Sequence, residues 1–116
     1  MGDHEKKEMY DLGYLEELSG GSKEFVDGIT ETFLKNIPEQ MEQMMNAYKA
    51  NDLRAMGENA HRMKPSLDLF RIHSLHDTIR FIEAKGKNEM SDPQLETALK
   101  EVEETVRQVI LSMSKK

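Results

Sequence analysis

The sequence predicts an all-α protein, an up-and-down antiparallel four-helix bundle with a short N-terminal helix. Three observations lead to this fold class. Apolar residues recur at steps of three and four over long stretches, and no apolar/polar alternation is long enough for a strand. The few glycines and prolines lie mainly at the edges of the periodic segments. Because the connections between these segments are short, we expect neighbouring helices to run antiparallel.

The N-terminal part is predicted to be a tail followed by one short helix. Residues 1–9 are expected to be disordered, and the bundle is expected to span residues 10–113. A first helix over residues 10–18 would end at the sequence Ser19-Gly20-Gly21, because glycine readily takes the left-handed conformation that ends helices.

The next apolar stripe predicts two nearly collinear helical segments, over about 22–36 and 38–50. Ser22 is placed to cap the first segment, and Pro38 suits either the first turn of a new helix or a kink. The stripe continues in register past Pro38, which makes the two segments collinear. Its members follow one another at steps of three or four: Phe25, Ile29, Phe33, Ile37, Met41, Met44 and Tyr48.

A third long helix is predicted from residue 53 to about residue 72, with Asn51 and Asp52 forming the turn and cap before it. Its apolar residues occupy about a third of the helical circle. They are Leu53, Met56, Ala60, Met63, Leu67 and Phe70.

Two further helices complete the predicted bundle. Ser74 with Asp77 three residues later resembles a capping box for a helix that runs to about Lys85 and is closed by Gly86. Its core face would hold Leu75, Ile79 and Ile82, with Phe81 beside them.

For the last helix, Asp92 is the predicted cap and Pro93 the predicted first helical position. Apolar residues then alternate at steps of four and three, which is typical of a bundle seam. They are Leu95, Leu99, Val102, Val106, Val109 and Met113.

Composition excludes several classes of protein. The chain has no cysteine, so disulfides, thiolate metal sites and cysteine nucleophiles are ruled out. No apolar run is long enough for a membrane span and the first residues are too polar for a signal peptide, so we expect a cytoplasmic protein without a membrane partner. A net charge of −6 argues against nucleic-acid binding. Residues 52–71 are the least acidic part, with four basic and three acidic residues.

His61 is predicted to lie on the solvent side of the third helix. At about 100° per residue it falls well over 90° from the centre of the apolar arc. Lys64, Pro65 and Asp68 follow at i+3, i+4 and i+7, so with His61 they form one exposed ridge. An exposed helical histidine taken alone is most often an ordinary surface residue, so the neighbouring residues must decide its role.

Two residues near His61 weaken the helix that carries it. Pro65 removes the hydrogen bond that would close on the carbonyl of His61. Gly57, one turn before His61, lowers helix propensity without a structural reason evident in the sequence. Residues that lower helix stability in this way occur chiefly where a functional site requires them, so the pattern favours a functional role for His61. A simple bend of the helix around the core is the alternative interpretation of Pro65.

The residues around His61 resemble the motif of histidine-containing phosphotransfer (HPt) domains. That motif has an alanine, the phosphorylated histidine, a variable residue, an apolar residue, a lysine, a glycine and a small residue. This chain has Ala60-His61-Arg62-Met63-Lys64-Pro65-Ser66. It departs at Pro65, where the family usually has glycine, and at Arg71, near which the family usually has another glycine. The resemblance covers about residues 10–112 and includes Phe25, Phe33-Leu34, Pro38, Met41, Ala47, Asp52-Leu53 and Ile82-Glu83.

The resemblance implies a phosphoryl carrier in a multistep phosphorelay, and not an autonomous enzyme. His61 would accept a phosphoryl group through Nε2 from an aspartate of one receiver domain and pass it to an aspartate of another. Lys64 would be the cation that faces the phosphoryl oxygens. The chain would need no cofactor of its own, because the receiver would supply Mg²⁺ and its acidic ligands. The expected partners are response-regulator receiver domains and a hybrid sensor histidine kinase, and the chain is expected to be a monomer.

The expected docking surface is the exposed ridge of the third helix, together with the neighbouring long helix. On the third helix it comprises Arg54, Gly57, Glu58, His61, Arg62, Lys64, Pro65 and Asp68.

Two other functions fit parts of the same pattern. A protein-interaction bundle without phosphorylation, a pseudo-HPt domain, would keep its function when His61 is replaced by glutamine. A metal-binding bundle is indicated by the Glu-x-x-His spacing of Glu58 and His61, but such sites need a second copy of the motif, which the sequence lacks. His4, His73 and His76 are assigned no role.

Overall fold

The computed structural model describes residues 9–114, and over these residues the chain is all-helical, as predicted. The helices are α1 (Gly13–Ser19), α2 (Lys23–Lys49), α3 (Leu53–Leu69), α4 (His76–Lys87) and α5 (Gln94–Ser114), and a 3₁₀ turn (His73–Leu75) precedes α4. The tail predicted over residues 1–9 lies, except for Met9, outside the described residues. Met9 itself is partly buried against the core. No helix in the described part of the chain is both long and apolar enough to cross a bilayer.

One hydrophobic core joins these helices, and the predicted apolar faces of α3, α4 and α5 supply most of it. Phe25 is the exception on α2, because its side chain is 45% exposed and the neighbouring Val26 is buried instead. At 100° per residue, Phe25 is turned about 80° from Phe33, whereas Val26 is turned about 20°. Each step of four residues turns the stripe about 40° around the helix, so the predicted stripe leaves the core face at its N-terminal end.

α2 is one continuous helix, so the predicted division into two segments was wrong. Pro38 lies inside it. The proline removes one backbone hydrogen bond, but Ile37 and Met44 on either side are buried in the same core. Packing on both sides therefore holds the helix together across the proline.

α1 begins later than predicted because the residues before it are tied to the end of α3. The backbone N–H of Asp11 donates to the carbonyl of Phe70 over 2.8 Å. The Asp11 carboxylate in turn accepts from the N–H of Gly13. Gly20 and Gly21, with φ of 66° and 91°, end the helix as predicted. This connection fixes α1 beside the C-terminal end of α3.

α3 ends at Leu69, earlier than predicted, because Arg71 takes a left-handed conformation with φ of 53°. The N–H of Arg71 donates to the carbonyl of Asp68, and the N–H of Ile72 donates to the carbonyl of Leu67. These two bonds form a Schellman motif, in which glycine is the preferred left-handed residue. The chain therefore uses arginine where the resemblance expects a glycine nearby.

α4 differs most from its prediction, since both its predicted ends were wrong. The helix starts at His76 after the 3₁₀ turn, and no side chain caps it, so Ser74 and Asp77 do not form the predicted capping box. Its other end runs past Gly86 to Lys87, and the left-handed Glu89 follows it. Gly86 is buried inside the helix because it serves a helix–helix contact described below.

The remaining caps agree with the sequence. The side chains of Ser22, Asp52 and Asp92 accept hydrogen bonds from the backbone N–H groups of Phe25, Ala55 and Gln94, respectively. α5 begins at Gln94, so Pro93, the predicted first helical position, lies one residue before the helix.

Candidate functional site

α3 and α4 approach each other closely at two buried glycines, Gly57 and Gly86. A methyl group added to Gly57 would lie 2.8 Å from Cα of Gly86 and 3.0 Å from its carbonyl carbon. A methyl group added to Gly86 would lie 2.6 Å from the backbone nitrogen of Gly57 and 2.6 Å from the carbonyl oxygen of Leu53. This contact is the structural reason for Gly57 that the sequence did not reveal. Gly57 is therefore buried at the contact between the two helices, and the prediction that it lies on the exposed ridge of α3 was wrong.

The order of contacts shows that α3 and α4 run in opposite directions. Going along α3, Gly57 contacts Gly86, His61 contacts Glu83 and Asp68 contacts Arg80. The partner numbers fall as the α3 numbers rise. His61 therefore faces the middle of α4, one helical turn from the glycine contact.

His61 and Lys64 share one carboxylate on α4. Nδ1 of His61 lies 2.6 Å from Oε2 of Glu83, and Nζ of Lys64 lies 2.7 Å from Oε1 of the same side chain. The imidazole is 67% exposed, as the helical wheel predicted, whereas the Glu83 side chain is 21% exposed. The site thus combines an accessible ring with a sheltered carboxylate behind it.

The contact with Glu83 selects one form of the neutral His61 ring. A carboxylate only accepts hydrogen bonds, so Nδ1 of His61 must carry the proton that it shares with Glu83. Nε2 then holds the lone pair. A neutral imidazole held in this tautomer is an available nucleophile at Nε2, and the carboxylate can stabilise positive charge that develops on the ring.

Its contacts with Lys64 and His61 keep Glu83 ionised. The hydrogen bond from Lys64 is the largest influence lowering the pKa of the Glu83 carboxyl. Partial burial opposes this effect, while the hydrogen bond from His61 and the charges of both neighbours add to it. The carboxylate that orients His61 is therefore fully charged near neutral pH.

Glu83 is the residue that sequence reasoning did not select. It was noticed only as part of the family resemblance, because it lies 22 positions from His61. Glu83 could have been found by pairing the two predicted helices antiparallel and looking for an acidic residue on the second helix at the level of His61.

The other predicted site residues lie around this centre with partners of their own. Arg54 and Glu58 form an exposed ion pair of 3.6 Å. Asp68 accepts a 2.8 Å hydrogen bond from Arg80 on α4. Such pairs contribute little to stability when exposed, so these side chains are available for other contacts.

Arg62 turns away from His61 toward a buried amide. Its guanidinium donates to the side-chain oxygen of Asn59 over 3.3 Å. Asn59 is only 7% exposed and donates its own amide to the carbonyl of Ala55. Arg62 is exposed, but the structure does not bring it to the carboxylate of Glu83.

A cleft of about 540 Å³ opens on the side of His61 nearer the N-terminus of α3. Lys87 and Glu89 line it, although no pattern in the sequence pointed to either residue. Lys87 is four residues beyond Glu83 and so projects from the same face of α4. The complete lining is Arg54, Gly57, Glu58, His61, Glu83, Lys87 and Glu89.

A second depression lies on the opposite side of the ridge, around Pro65. Pro65 is exposed, and Tyr14 of α1 lines the same depression. The guanidinium of Arg71 lies 5.3 Å from the centre of the Tyr14 ring, within the range of a cation–π contact. The surface next to Pro65 therefore includes part of α1.

Glu58 and His61, the residues considered for a metal site, pair with other side chains, and so does His76. Within residues 9–114, no three histidine, aspartate or glutamate side chains are grouped in a way that could hold a metal ion. Glu58 pairs with Arg54, and His61 pairs with Glu83. Nδ1 of His76 lies 3.0 Å from the carboxylate of Asp77.

Comparison with known protein families places most of this chain in one of them. Residues 28–109 match the family model described as "Hpt domain", and the match covers most of the chain. No curated protein and no solved structure matches the chain.

Proposed function

Because the chain belongs to the Hpt domain family, a family of phosphorelay signalling, we propose that His61 is its phosphoryl carrier. In this proposal His61 accepts a phosphoryl group from an aspartate of one receiver domain and passes it to an aspartate of another. The observation that carries it is the 2.6 Å contact between Nδ1 of His61 and Glu83, which leaves Nε2 unprotonated and exposed. Hpt domains in general interact with receiver domains.

The transfer step is a displacement at phosphorus. The lone pair on Nε2 of His61 attacks the phosphorus of the receiver's aspartyl phosphate, and an N–P bond forms as the P–O bond to the aspartate breaks. The aspartate leaves as a carboxylate. The ring keeps its proton on Nδ1 and gains positive charge, which the ionised Glu83 stabilises. Transfer onward to a second receiver reverses these bond changes.

Lys64 is the cation assigned to the phosphoryl oxygens in this proposal. Its ammonium is held 2.7 Å from Glu83 and lies one turn from His61 on α3. Phosphoryl transfer depends mainly on positioning and charge neutralisation, so a cation that shares a carboxylate with the reacting ring suits the reaction. We infer that Mg²⁺ comes with the receiver, whose acidic side chains would bind it.

The proposed docking surface is the exposed ridge of α3 with the facing turns of α4. Exposure of Arg54, Pro65 and Asp68 supports it, since each is accessible beside His61. Gly57 contributes only backbone to this surface. The donor in the proposal is a hybrid sensor histidine kinase, and the carrier works as a cytoplasmic monomer.

For the fold, we infer that α2 to α5 form an up-and-down antiparallel four-helix bundle over residues 10–113. The short connections support this arrangement, as does the contact order of α3 and α4. α4 and α5 follow the same rule, since Lys85 pairs with Asp92 and Thr78 pairs with Glu101.

The function is tested by incubating the protein with phosphorylated receiver domains of the same genome and Mg²⁺. We expect acid-labile, alkali-stable label on the wild-type protein and on His73→Gln, an exposed-histidine control, but none on His61→Gln. If His61→Gln kept both label and signalling, or if no receiver labelled the wild type, the carrier proposal would be wrong.

Pro65 is the one observation that favours a protein-interaction domain without phosphorylation. Its ring occupies a position where the family usually has glycine, one turn from His61. In that alternative, His61→Gln would bind the receiver partner as tightly as the wild type and would retain the signalling output.

A further inference from the structure

We propose that the glycine–glycine contact between α3 and α4 is a positioning device for the reactive histidine. Gly57 and Gly86 set the separation of the two helices, and that separation lets Glu83 reach Nδ1 of His61. The inference rests on the proposed function in one respect, namely that His61 is the reacting group. It assigns a role in the site to two residues that touch neither the phosphoryl group nor the partner.

The contact lies close enough to the pair to control it. Gly57 precedes His61 by four residues, and Gly86 follows Glu83 by three. Because the helices run in opposite directions, both glycines lie on the same side of the pair, about one turn or roughly 5 Å away along the helices. If the helices move apart at the glycines, the distance between α3 and α4 at His61 and Glu83 should therefore increase by nearly the same amount.

Helix formation does not explain either glycine. Each sits inside a helix, where glycine costs about 1 kcal/mol relative to alanine. Gly28 makes a useful contrast, because a methyl group added to it would meet nothing within 4 Å. At Gly57 and Gly86 the added methyl groups would meet backbone atoms, which cannot rotate away. These two glycines are therefore required by close approach of the helices, while Gly28 is not.

The distances decide which interaction is lost when the helices separate. A methyl group on Gly57 would lie 2.8 Å from Cα of Gly86, whereas ordinary contact needs at least 3.4 Å. Relief requires about 0.6 Å of separation at Gly57 and at least about 0.8 Å at Gly86, whose added methyl group would lie 2.6 Å from two backbone atoms. Added to the 2.6 Å between Nδ1 of His61 and Glu83, these shifts give about 3.2 Å and at least about 3.4 Å, at or beyond the long end of the N–H···O range, so the hydrogen bond is weakened.

Lys64 should follow Glu83 when His61 does not. Its flexible side chain has four methylene groups, so the ammonium can stay with the carboxylate after a shift of this size. The imidazole of His61 has only one methylene group and cannot compensate in the same way. Separation of the helices should therefore uncouple His61 selectively and leave Glu83 charged by its contact with Lys64.

The test measures the protonation pattern of the His61 ring by ¹⁵N NMR in Gly57→Ala and Gly86→Ala. We expect the neutral ring to change from mainly Nδ1–H to a mixture with Nε2–H. The change should be larger in Gly86→Ala, since its methyl group would lie 2.6 Å from two backbone atoms. Phosphorylation of His61 by the small donor phosphoramidate should slow about tenfold, the lower end of the range for lost orienting partners.

Two matched controls separate positioning from loss of stability. Gly28→Ala places the same methyl group in α2 and should leave the ring unchanged. Val106→Ala removes buried volume from α5, outside the crossing, so it should lower stability without altering the tautomer of His61. All variants, the Gly28→Ala control included, are made in an Arg71→Gly background, which we expect to be stabilised, so that the crossing variants stay folded.

A double-mutant cycle identifies the route of the effect. Once Glu83→Ala has removed the acceptor, adding Gly57→Ala should change the His61 ring no further. The inference is overturned if the crossing variants melt at lower temperature but keep the wild-type tautomer, or if the two changes are additive. The NMR readout does not depend on phosphorylation. If the tautomer responds but wild-type His61 is never phosphorylated, the positioning role stands and the proposed function falls.

Discussion

Glu83 accepts a hydrogen bond of 2.6 Å from Nδ1 of His61, and this contact crosses from α4 to α3. It joins two residues that are far apart in the sequence and determines which ring nitrogen is available for chemistry. Lys64 holds the other oxygen of the same carboxylate at 2.7 Å. The proposed reactive centre thus depends on the packing of two helices, although its histidine and lysine belong to one motif.

Removal of the carboxylate should slow transfer while leaving the fold intact. We expect Glu83→Ala to lower the rate of phosphoryl transfer from a receiver about 10- to 100-fold, because the ring loses its orienting partner. Glu83→Gln should lose less, since its amide oxygen still accepts from Nδ1. Single-turnover transfer from a phosphorylated receiver measures both. Glu101→Ala, an exposed α5 variant, is the control, and equal rates for Glu83→Ala and wild type would exclude the orienting role.

The ionised Glu83 should make stability depend on pH in a defined direction. The folded-state pKa of Glu83 lies below the ordinary value of 4.5, mainly through the hydrogen bond from Lys64. The folded state therefore binds this proton less readily than the unfolded state does. The resulting stabilisation is fully present above the ordinary pKa and is lost as the pH falls through the folded-state pKa.

Urea denaturation of the wild type and Glu83→Gln across this acid range measures the effect. The difference in free energy of unfolding between the two proteins should shrink as the pH falls below about 4.5. A difference that stayed constant, or that grew in acid, would show that the charge of Glu83 does not stabilise the fold.

Arg71→Gly should stabilise the protein. Arg71 has φ of 53°, a conformation that costs a non-glycine residue about 1 kcal/mol or more. The change also removes the contact of Arg71 with Tyr14, which at an exposed site is worth about 0.5 kcal/mol. The net gain should be on the order of 0.5 kcal/mol, measurable as a rise in Tm. Asn51→Gly, at φ of 62°, should gain less because asparagine tolerates this conformation.

Pro65→Gly should speed transfer between this protein and a receiver. The substitution removes the ring next to His61 and leaves the His61–Glu83 contact untouched, so phosphorylation by phosphoramidate should not change. Pro38→Gly makes the same change in α2, away from His61, and should leave both rates unaltered. An unchanged receiver rate for Pro65→Gly would mean that the proline only bends α3.

Charge reversal should locate the docking surface. Arg54→Glu and Asp68→Lys each change an exposed residue of the ridge, on opposite sides of His61. Either change should weaken receiver binding. The association rate and its dependence on salt should change more than the dissociation rate does. Lys100→Glu on α5 is the control. Unaltered binding by both ridge variants would place the interface elsewhere.

Much of the fold was predictable because helical periodicity reports burial directly. The core faces of α3 and α5 and the caps Ser22, Asp52 and Asp92 follow from local patterns, and the structure confirms them. Helix ends were less predictable. Arg71 and Glu89 take left-handed conformations, which arginine and glutamate rarely adopt and which the sequence therefore does not indicate. As a result, α3 ends earlier and α4 ends later than predicted.

The candidate site likewise has a part that could be predicted from the sequence and a part that could not. The exposure of His61 and the position of Lys64 one turn away are helical geometry, which spacing reveals. Glu83 and the contact of Gly57 with Gly86 depend on how two helices pack, which no local pattern contains. Gly86 was predicted to stop a helix because glycine more often does so, and only the close approach of Gly57 explains its place inside α4.

The most direct test of the account is to identify the atom that receives the phosphoryl group. The ¹⁵N-labelled protein is incubated with a phosphorylated receiver and Mg²⁺, and the His61 ring is then examined by ¹⁵N and ³¹P NMR. We expect an N–P bond at Nε2 of His61, with the proton retained on Nδ1 beside Glu83. A phosphoryl group on Nδ1, on another residue, or on no residue with any receiver of the same genome would contradict it.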